Sequence, residues 1–387
     1  MSGQFPNLDV TIHEISAEEL KDRLDRGEQV TLLDTRRPAD FETWHITHDN
    51  LTAVNIPFTE FLSGDDPADS VPEGVPEGPL VTCCAKGISS VYVAEFLARA
   101  GWEIEALADG MEGWARLYEY TELDADTDAT VAQYYRPSSG CLAYLVVSGG
   151  EAAVIDPLRA FVTEYVQDVK ALGATLTYAL DTHVHADHLS GLRMLAAQTG
   201  AEMVLPTGAK ARGLAFDATF VEDGDTITVG DVDIEAVHIP GHTTEMTGYR
   251  VGRAFITGDT LFTDSVARPD LEEGAEGAPD AARRLYDTLQ EIADLPDETL
   301  ILPAHTSPSA RPDEDGVFGA TVGDLRERLA PLSMEREAFV EYVLADMPPR
   351  PNNYEAIIAA NLGRHEVNRK EAFELELGPN NCAADAP

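Results

Sequence analysis

A chain of 387 residues is long for one hydrophobic core, so two domains are the starting expectation. Its 69 acidic residues against 27 basic ones give a net charge of −42, which excludes a nucleic-acid partner, because binding phosphates needs a basic surface that displaces counterions. A hydrophobic content of 44% weighs against disorder, and no apolar run is long enough to span a bilayer, so no membrane partner is expected.

The first elements are strand-like VTIHEI, then Ser16 and Glu19 in capping-box spacing, the helix ELKDRLDRG and the apolar strand VTLLD. TAVNIP, PLVTC and EIEALA are further strands, with the helix VYVAEFLARAG among them. Strands alternating with helices predict a parallel sheet covered on both faces. SGDDPADSVPEGVPEGP reads as a surface loop. PLVTC runs into the loop Cys84-Ala85-Lys86-Gly87-Ile88-Ser89-Ser90 and then a helix. Gly87 permits a positive backbone dihedral, so successive N–H groups can turn toward the sulfur, and the helix start adds its positive end. Both favour a thiolate at Cys84, the nucleophilic form. Lys86 is a candidate for holding an anionic substrate, and Cys83 reads as structural.

The acidic, aperiodic stretch TELDADTDAT places the domain boundary, giving domains 1–122 and 123–387. The second opens with CLAYLVVSGGEAAVIDP, a hairpin turning at Ser148-Gly149-Gly150, followed by a helix with Phe161, Tyr165, Val166, Val169 and Leu172 on one face. The strands TLTYALDTH, EMVLP, ITVGDVDIEAVHIP and TGYRVGRAFITGD follow, then the helix DAARRLYDTLQEIADL, the strand TLILPAH and a mostly helical tail.

His183-Val184-His185-Ala186-Asp187-His188 follows an apolar strand, where residues two apart point the same way and let His183 and His185 converge. His242, Asp259 and His305 each end a later apolar strand, which suits metal ligands gathered at one sheet edge. His238 is separated from His242 by Pro240 and Gly241, which break a helical pair, so it reads as a structural neighbour.

Residues from about 10 to 118 resemble the rhodanese family of sulfurtransferases. The motifs are Leu33-Asp34-Thr35-Arg36, Trp44-His45-Ile46, Ala53-Val54-Asn55-Ile56-Pro57, the Cys-x-x-Gly-x-Ser loop and Asp109-Gly110-Met111-Glu112-Gly113-Trp114. That resemblance implies that Cys84 accepts sulfane sulfur as a persulfide, with Lys86, Gly87 and Ser89 around the substrate. The second module resembles the metallo-β-lactamase fold through its histidine motif, Ile155-Asp156-Pro157 and Gly258-Asp259, which implies an αββα sandwich. Within that fold it is similar to the persulfide dioxygenases, through Ser139-Gly140-Cys141-Leu142-Ala143-Tyr144, Ala267-Arg268-Pro269-Asp270-Leu271, Met347-Pro348-Pro349-Arg350-Pro351 and Ala359-Ala360-Asn361-Leu362.

The similarity to the dioxygenases implies one Fe(II) on His183, His242 and Asp259, and oxidation of a thiol persulfide by O2 to sulfite. His185, Asp187, His188 and His305 then surround the ligands, or supply a second zinc site with Asp259 bridging, as in glyoxalase II-type thioester hydrolases. Arg268 is a candidate for gripping a substrate carboxylate, or else an ion-pair partner of Asp270. The expected partners are a small thiol persulfide, O2, and thiosulfate or sulfite, and the chain leaves room for a homo-oligomer.

Compartment follows from what remains. Cys83, Cys84, Cys141 and Cys382 are too few for a disulfide scaffold, and MSGQFPNLDV lacks a basic-then-apolar leader, so a cytoplasmic location is expected. Only five lysines occur (Lys21, Lys86, Lys170, Lys210, Lys370), and the acid excess reads as adaptation to high salt.

Overall fold

The computed structural model describes residues 10–62, 71–307, 310–345, 347, 350–351 and 353–376. Cys382, Pro348, Pro349 and part of the acidic loop read before PLVTC lie outside the described residues. The chain divides into two compact units, Met1–Leu117 and Tyr118–Pro387.

In the first unit, β1 (His13–Ile15), β2 (Val30–Asp34), β3 (Leu51–Asn55), β4 (Leu80–Cys83) and β5 (Ile104–Leu107) form an all-parallel sheet in the order β1-β5-β4-β2-β3. Successive strand residues face opposite ways. Leu32 and Val81 therefore join Leu20 and Leu24 of helix Ala17–Asp25 on one face. Leu33 and Leu80 join Val93, Phe96 and Leu97 of helix Ile88–Arg99 on the other. Ser16 caps the first helix by accepting from the Glu19 N–H at 3.1 Å, while the Glu19 carboxylate turns to Arg23, so only half of the expected capping box forms.

The second unit holds two sheets. β6 (Glu119–Leu123), β7 (Thr130–Tyr135), β8 (Leu142–Ser148), β9 (Glu151–Ile155), β10 (Thr175–Leu180), β11 (Glu202–Pro206) and β12 (Thr219–Val221) lie side by side in that order. β13 (Thr226–Val229), β14 (Val232–His238), β15 (Thr247–Val251), β16 (Ala254–Gly258), β17 (Leu300–Pro303) and β18 (Ala320–Thr321) form the other sheet. Tyr144, Ile155 and Leu180 of the first sheet share a core with Ile234, Tyr249, Ile256 and Leu302 of the second. Helices Val162–Ala171 and Leu192–Thr199 cover the outer face of the first sheet, and Gly274–Ala293, Val322–Arg328 and Arg336–Ala345 cover that of the second. The result is the αββα sandwich expected.

Two details differ from the sequence expectation. The units separate at Leu117/Tyr118 rather than 122/123, because Glu119–Leu123 is a strand whose ladder partner, β7, lies in the second unit. Its alternating half-buried and exposed residues are those of an edge strand, and its acidic composition hides that. Leu172, placed on the apolar helix face, is 40% exposed because that helix stops at Ala171.

Candidate functional site

The strands set the positions of the polar groups in the second unit. His183 lies just beyond β10, His242 beyond β14, Asp259 directly after β16 and His305 after β17. Ligand atoms of His183, His242 and Asp259 lie within 4.8 Å of one another, all buried. Nε2 of His183 and Nε2 of His242 are each 3.6 Å from Asp259 Oδ2. The other ring nitrogens are occupied. His242 Nδ1 donates to the Arg268 carbonyl at 3.0 Å. His183 Nδ1 lies 3.0 Å from the Thr182 hydroxyl, which donates to Asp156 and so acts as acceptor. Both Nε2 atoms therefore carry lone pairs, and neither has a hydrogen-bond partner among the described residues. Such orphaned buried acceptors are costly unless an ion completes them. Burial, then the neighbouring His185, holds His183 well below the ordinary imidazole pKa, and burial also lowers His242. Burial opposes ionisation of Asp259, but His305, His183 and His242 outweigh it and keep the carboxylate charged. Two neutral imidazoles and one carboxylate fit a divalent transition metal.

The remaining motif residues separate into two further groups. His185 Nε2 is 3.0 Å from Asp156 Oδ1 and 3.9 Å from Asp181 Oδ1, and burial pushes the Asp181 carboxyl up to about 6. The expected convergence of His183 and His185 is thus incomplete. Their rings are neighbours at 4.2 Å, but His185 turns one nitrogen to Asp156, because this segment is an irregular loop and not a strand end. Asp187, His188 and Cys141 form the other group, with Cys141 Sγ donating to Asp187 at 3.4 Å and His188 Nδ1 at 3.2 Å from the same carboxylate. His305 Nδ1 sits 2.8 Å from Asp259 Oδ1, yet neither atom is aligned for a hydrogen bond. The backbone of His305 bridges to Cys141 at the start of β8.

In the first unit Cys84 follows β4, and its side chain accepts from the Ser90 hydroxyl at 3.2 Å. Gly87 adopts φ +72 at the start of helix Ile88–Arg99, the left-handed turn its position demands. Burial raises the Cys84 pKa, but hydrogen bonds from Ser89 and Ser90 and from the Ser90 and Lys86 backbone outweigh it, so the thiol falls below its ordinary value. Cys83, by contrast, is pushed well above it by burial, in keeping with a structural role. Asp109–Trp114 braces this loop, with Met111 N–H donating to Cys84 O at 2.8 Å and Glu112 N–H to Ala85 O at 3.1 Å. Lys86 points to Glu112, with Nζ 2.9 Å from its carboxylate.

Comparison with known proteins follows the same division. Residues 137–305 match the model of the metallo-beta-lactamase superfamily, and residues 16–117 that of the rhodanese-like domain. Mitochondrial persulfide dioxygenase ETHE1 of Homo sapiens is 31% identical over 237 residues, covering 59% of this chain and 86% of that protein. The chain is a persulfide dioxygenase-like member of the metallo-beta-lactamase superfamily. It carries an N-terminal rhodanese-like domain. A hydroxyacylglutathione hydrolase from Rhodospirillum rubrum is also similar, at 32% identity over 49% of this chain and 69% of that one. The solved structure of ETHE1 from Myxococcus xanthus superposes with a TM-score of 0.53 at 29% identity, covering 60% of this chain and 98% of that one.

Within the metallo-beta-lactamase unit Arg268 shows the ion-pair alternative, and the structure adds other residues. Arg268 is 2% exposed and clamps Asp270 through Nε at 2.7 Å and Nη2 at 3.2 Å. The Asp270 carboxylate thus takes the fork of this buried guanidinium, and the Arg268 carbonyl orients His242. Asn361 is an addition. Its Nδ2 donates to the carbonyls of His185 (3.0 Å) and His188 (2.8 Å), and its Oδ1 accepts from the Ser190 N–H at 2.9 Å. Glu376 accepts from the Leu189 N–H at 2.9 Å and pairs with buried Arg136 at 3.0 Å. Asp156, read only as part of a fold motif, anchors Thr182 and His185. The Ala-Ala-Asn-Leu motif was a usable signal for Asn361; Glu376 has none.

Proposed function

We propose that the metallo-beta-lactamase unit oxidises a low-molecular-weight thiol persulfide with O2, and that the rhodanese-like unit transfers sulfane sulfur through Cys84. The observation that carries the first part is the pair of unpartnered Nε2 atoms, each 3.6 Å from one oxygen of Asp259. His183, His242 and Asp259 would hold a single Fe(II) and leave its other positions open. When bound, iron supplies redox chemistry toward O2 that zinc lacks. The net reaction joins one persulfide R–S–SH, one O2 and one water to give R–SH, sulfite and two protons. The terminal sulfur is oxidised and O2 is reduced.

The chain's own groups prepare this chemistry. Thr182 and the Arg268 carbonyl fix the tautomers of the two imidazoles. His188 and His305 can hold protons, because burial, which disfavours their charged forms, is outweighed by Asp187 and Asp259 respectively. In the other unit the Cys84 thiolate attacks a sulfane sulfur, becomes a persulfide and releases the donor, sulfite in the case of thiosulfate. Attack on that persulfide by a small thiol gives R–S–SH, and the exchange runs either way. The charge of −42, and Cys83, Cys84 and Cys141 standing outside any disulfide among the described residues, support a reducing cytoplasm rich in salt.

One observation favours a second reading. Asp259 presents Oδ1 to His305 at 2.8 Å and Oδ2 to His183 and His242, so these residues would hold two zinc ions, which would supply the chemistry of a thioester hydrolase. Metal analysis with oxygen-electrode assays decides between them. About one iron per chain, with O2 uptake on adding a persulfide, is the expected result. About two zinc ions, thioester hydrolysis and no O2 uptake would overturn the dioxygenase reading.

A further inference from the structure

Lys86, Arg116 and Arg36 stand near the Cys84 loop, and each faces a carboxylate. Lys86, the side chain expected to hold an anionic substrate, has Nζ 2.9 Å from Oε1 of Glu112. Arg116 approaches Oε2 of the same carboxylate at 3.6 Å. Arg36 follows β2, whose Asp34 lies in register with Cys83. Asp34 takes its guanidinium through Nε at 3.0 Å and Nη2 at 2.6 Å. Ala85, next to the sulfur-bearing residue, adds no charge.

The backbone fixes where Glu112 stands. Its N–H donates to Ala85 O, and that of Met111 donates to Cys84 O. The two segments also press together. A Cβ on Gly110 would lie 2.0 Å from Cys84 O, and one on Gly87 2.7 Å from Asp109 N. The carboxylate is thus carried by the segment that braces the loop. Its pair with Lys86 adds little to stability, because the lysine side chain is 60% exposed. The consequence is electrical. A cation that faces a carboxylate presents little net charge to a ligand, and an anion brought up to it meets the carboxylate as well. The penalty grows with the charge of the ligand, so it is largest for a dianion such as thiosulfate and absent for an uncharged hydropersulfide.

We propose that Glu112 sets the donor preference of the Cys84 site, turning it from dianionic donors toward sulfane sulfur carried by neutral or singly charged persulfides. The Cys84 thiolate attacks the outer sulfur of R–S–SH, a new S–S bond forms, the old one breaks, and R–S− leaves with the electron pair. The proton of the outer sulfur stays on Cys84–S–SH, R–S− takes a proton from water, and no oxidant or reductant is consumed. The inference rests on the sulfurtransferase reading for the reaction and on the ion pairs alone for the charge preference.

The test compares two alkylating agents at Cys84 of the full-length protein, read by mass spectrometry of the peptide that carries it. Iodoacetate and iodoacetamide attack the same thiolate but differ by one negative charge, so their rate ratio reads the local potential and the thiol pKa cancels. Glu112→Gln should raise the iodoacetate-to-iodoacetamide ratio about threefold. Glu112→Asp, which keeps the charge, should leave the ratio close to that of the natural protein, and added KCl should narrow the gap between the Gln variant and the natural protein. Sulfur transfer to dithiothreitol is the second arm. Glu112→Gln should raise kcat/KM for thiosulfate about tenfold, chiefly through KM, and that for the monoanion methanethiosulfonate about threefold. An unchanged alkylation ratio, equal gains for the two donors, or thiosulfate transfer that falls or stays level would each overturn the proposal. If the ratio shifts while the natural protein uses neither donor, the sulfurtransferase reading fails and the electrostatic assignment of Glu112 stands.

Discussion

The Cys84 loop and the metal cluster differ in how far apart along the chain their parts lie. Cys84, Lys86, Gly87, Ser89 and Ser90 are neighbours in sequence, and one nearby segment, Asp109–Trp114, braces them. His183, His242, Asp259 and His305 come from the ends of four strands, held by a fifth element at Asn361. A loop site depends on local backbone shape and a helix start. A distributed site exists only once both sheets have packed. The two should therefore fail in different ways.

The widest separation comes from removing one reacting group in each unit. Asp259→Ala should lower persulfide-dependent O2 uptake and bound metal by more than about 100-fold, since even outer-shell changes cost 10–100-fold. Sulfur transfer from thiosulfate should survive. Cys84→Ser should abolish that transfer, a loss of about three orders of magnitude or more as for other nucleophiles, and leave metal content and O2 uptake intact. Oxygen uptake that disappears with Cys84 would mean that the two sites are not separable.

A smaller effect tests the dependence on distant support. Asn361→Ala removes hydrogen bonds to the His185 and His188 carbonyls and from the Ser190 N–H, so the loop can relax away from Asp259. Metal affinity, measured by competition with a chelator, should drop about 10–100-fold while circular dichroism is unchanged. Unchanged affinity would show that the loop holds its own shape. In the Cys84 loop the comparable change is Ser90→Ala. Removing the hydroxyl that donates to the sulfur leaves burial less opposed, so the thiol pKa rises. The pH profile of iodoacetamide alkylation should move to higher pH, and the rate at neutral pH should fall.

The contrast also explains what could be seen in the sequence. The Cys84 loop was legible because strand, turn glycine and helix lie within a few residues, and Gly87 takes the expected conformation. Strand-end histidines were legible as a group because each follows an apolar run. What sequence spacing concealed was orientation. His183 and His185 sit two apart, yet one faces His242 and Asp259 while the other faces Asp156. For Arg268 the sequence offers two partners, a substrate carboxylate or Asp270 two residues on, and in the structure Asp270 takes its fork. Glu376 reaches Leu189 across most of the unit's length, and Cys141 meets Asp187 only when β8 and the motif loop close together.

Salt offers the gentlest test, and it should treat the units alike. Residues Met1–Leu117 hold 22 acidic against 8 basic residues, and Tyr118–Pro387 hold 47 against 19. Many of the ion pairs lie near the surface, such as Arg37–Asp40 and Arg283–Asp280, and exposed pairs contribute about 0–1 kcal/mol each. Screening therefore removes little attraction, while it relieves repulsion among a large excess of carboxylates. Raising KCl from low to molar concentration should stabilise both units by about 1–2 kcal/mol, a Tm increase of several degrees for chains of this size. If only one unit gains, or the Tm falls, the acid excess is serving something other than tolerance of salt, such as a cationic partner on the unit that fails to respond.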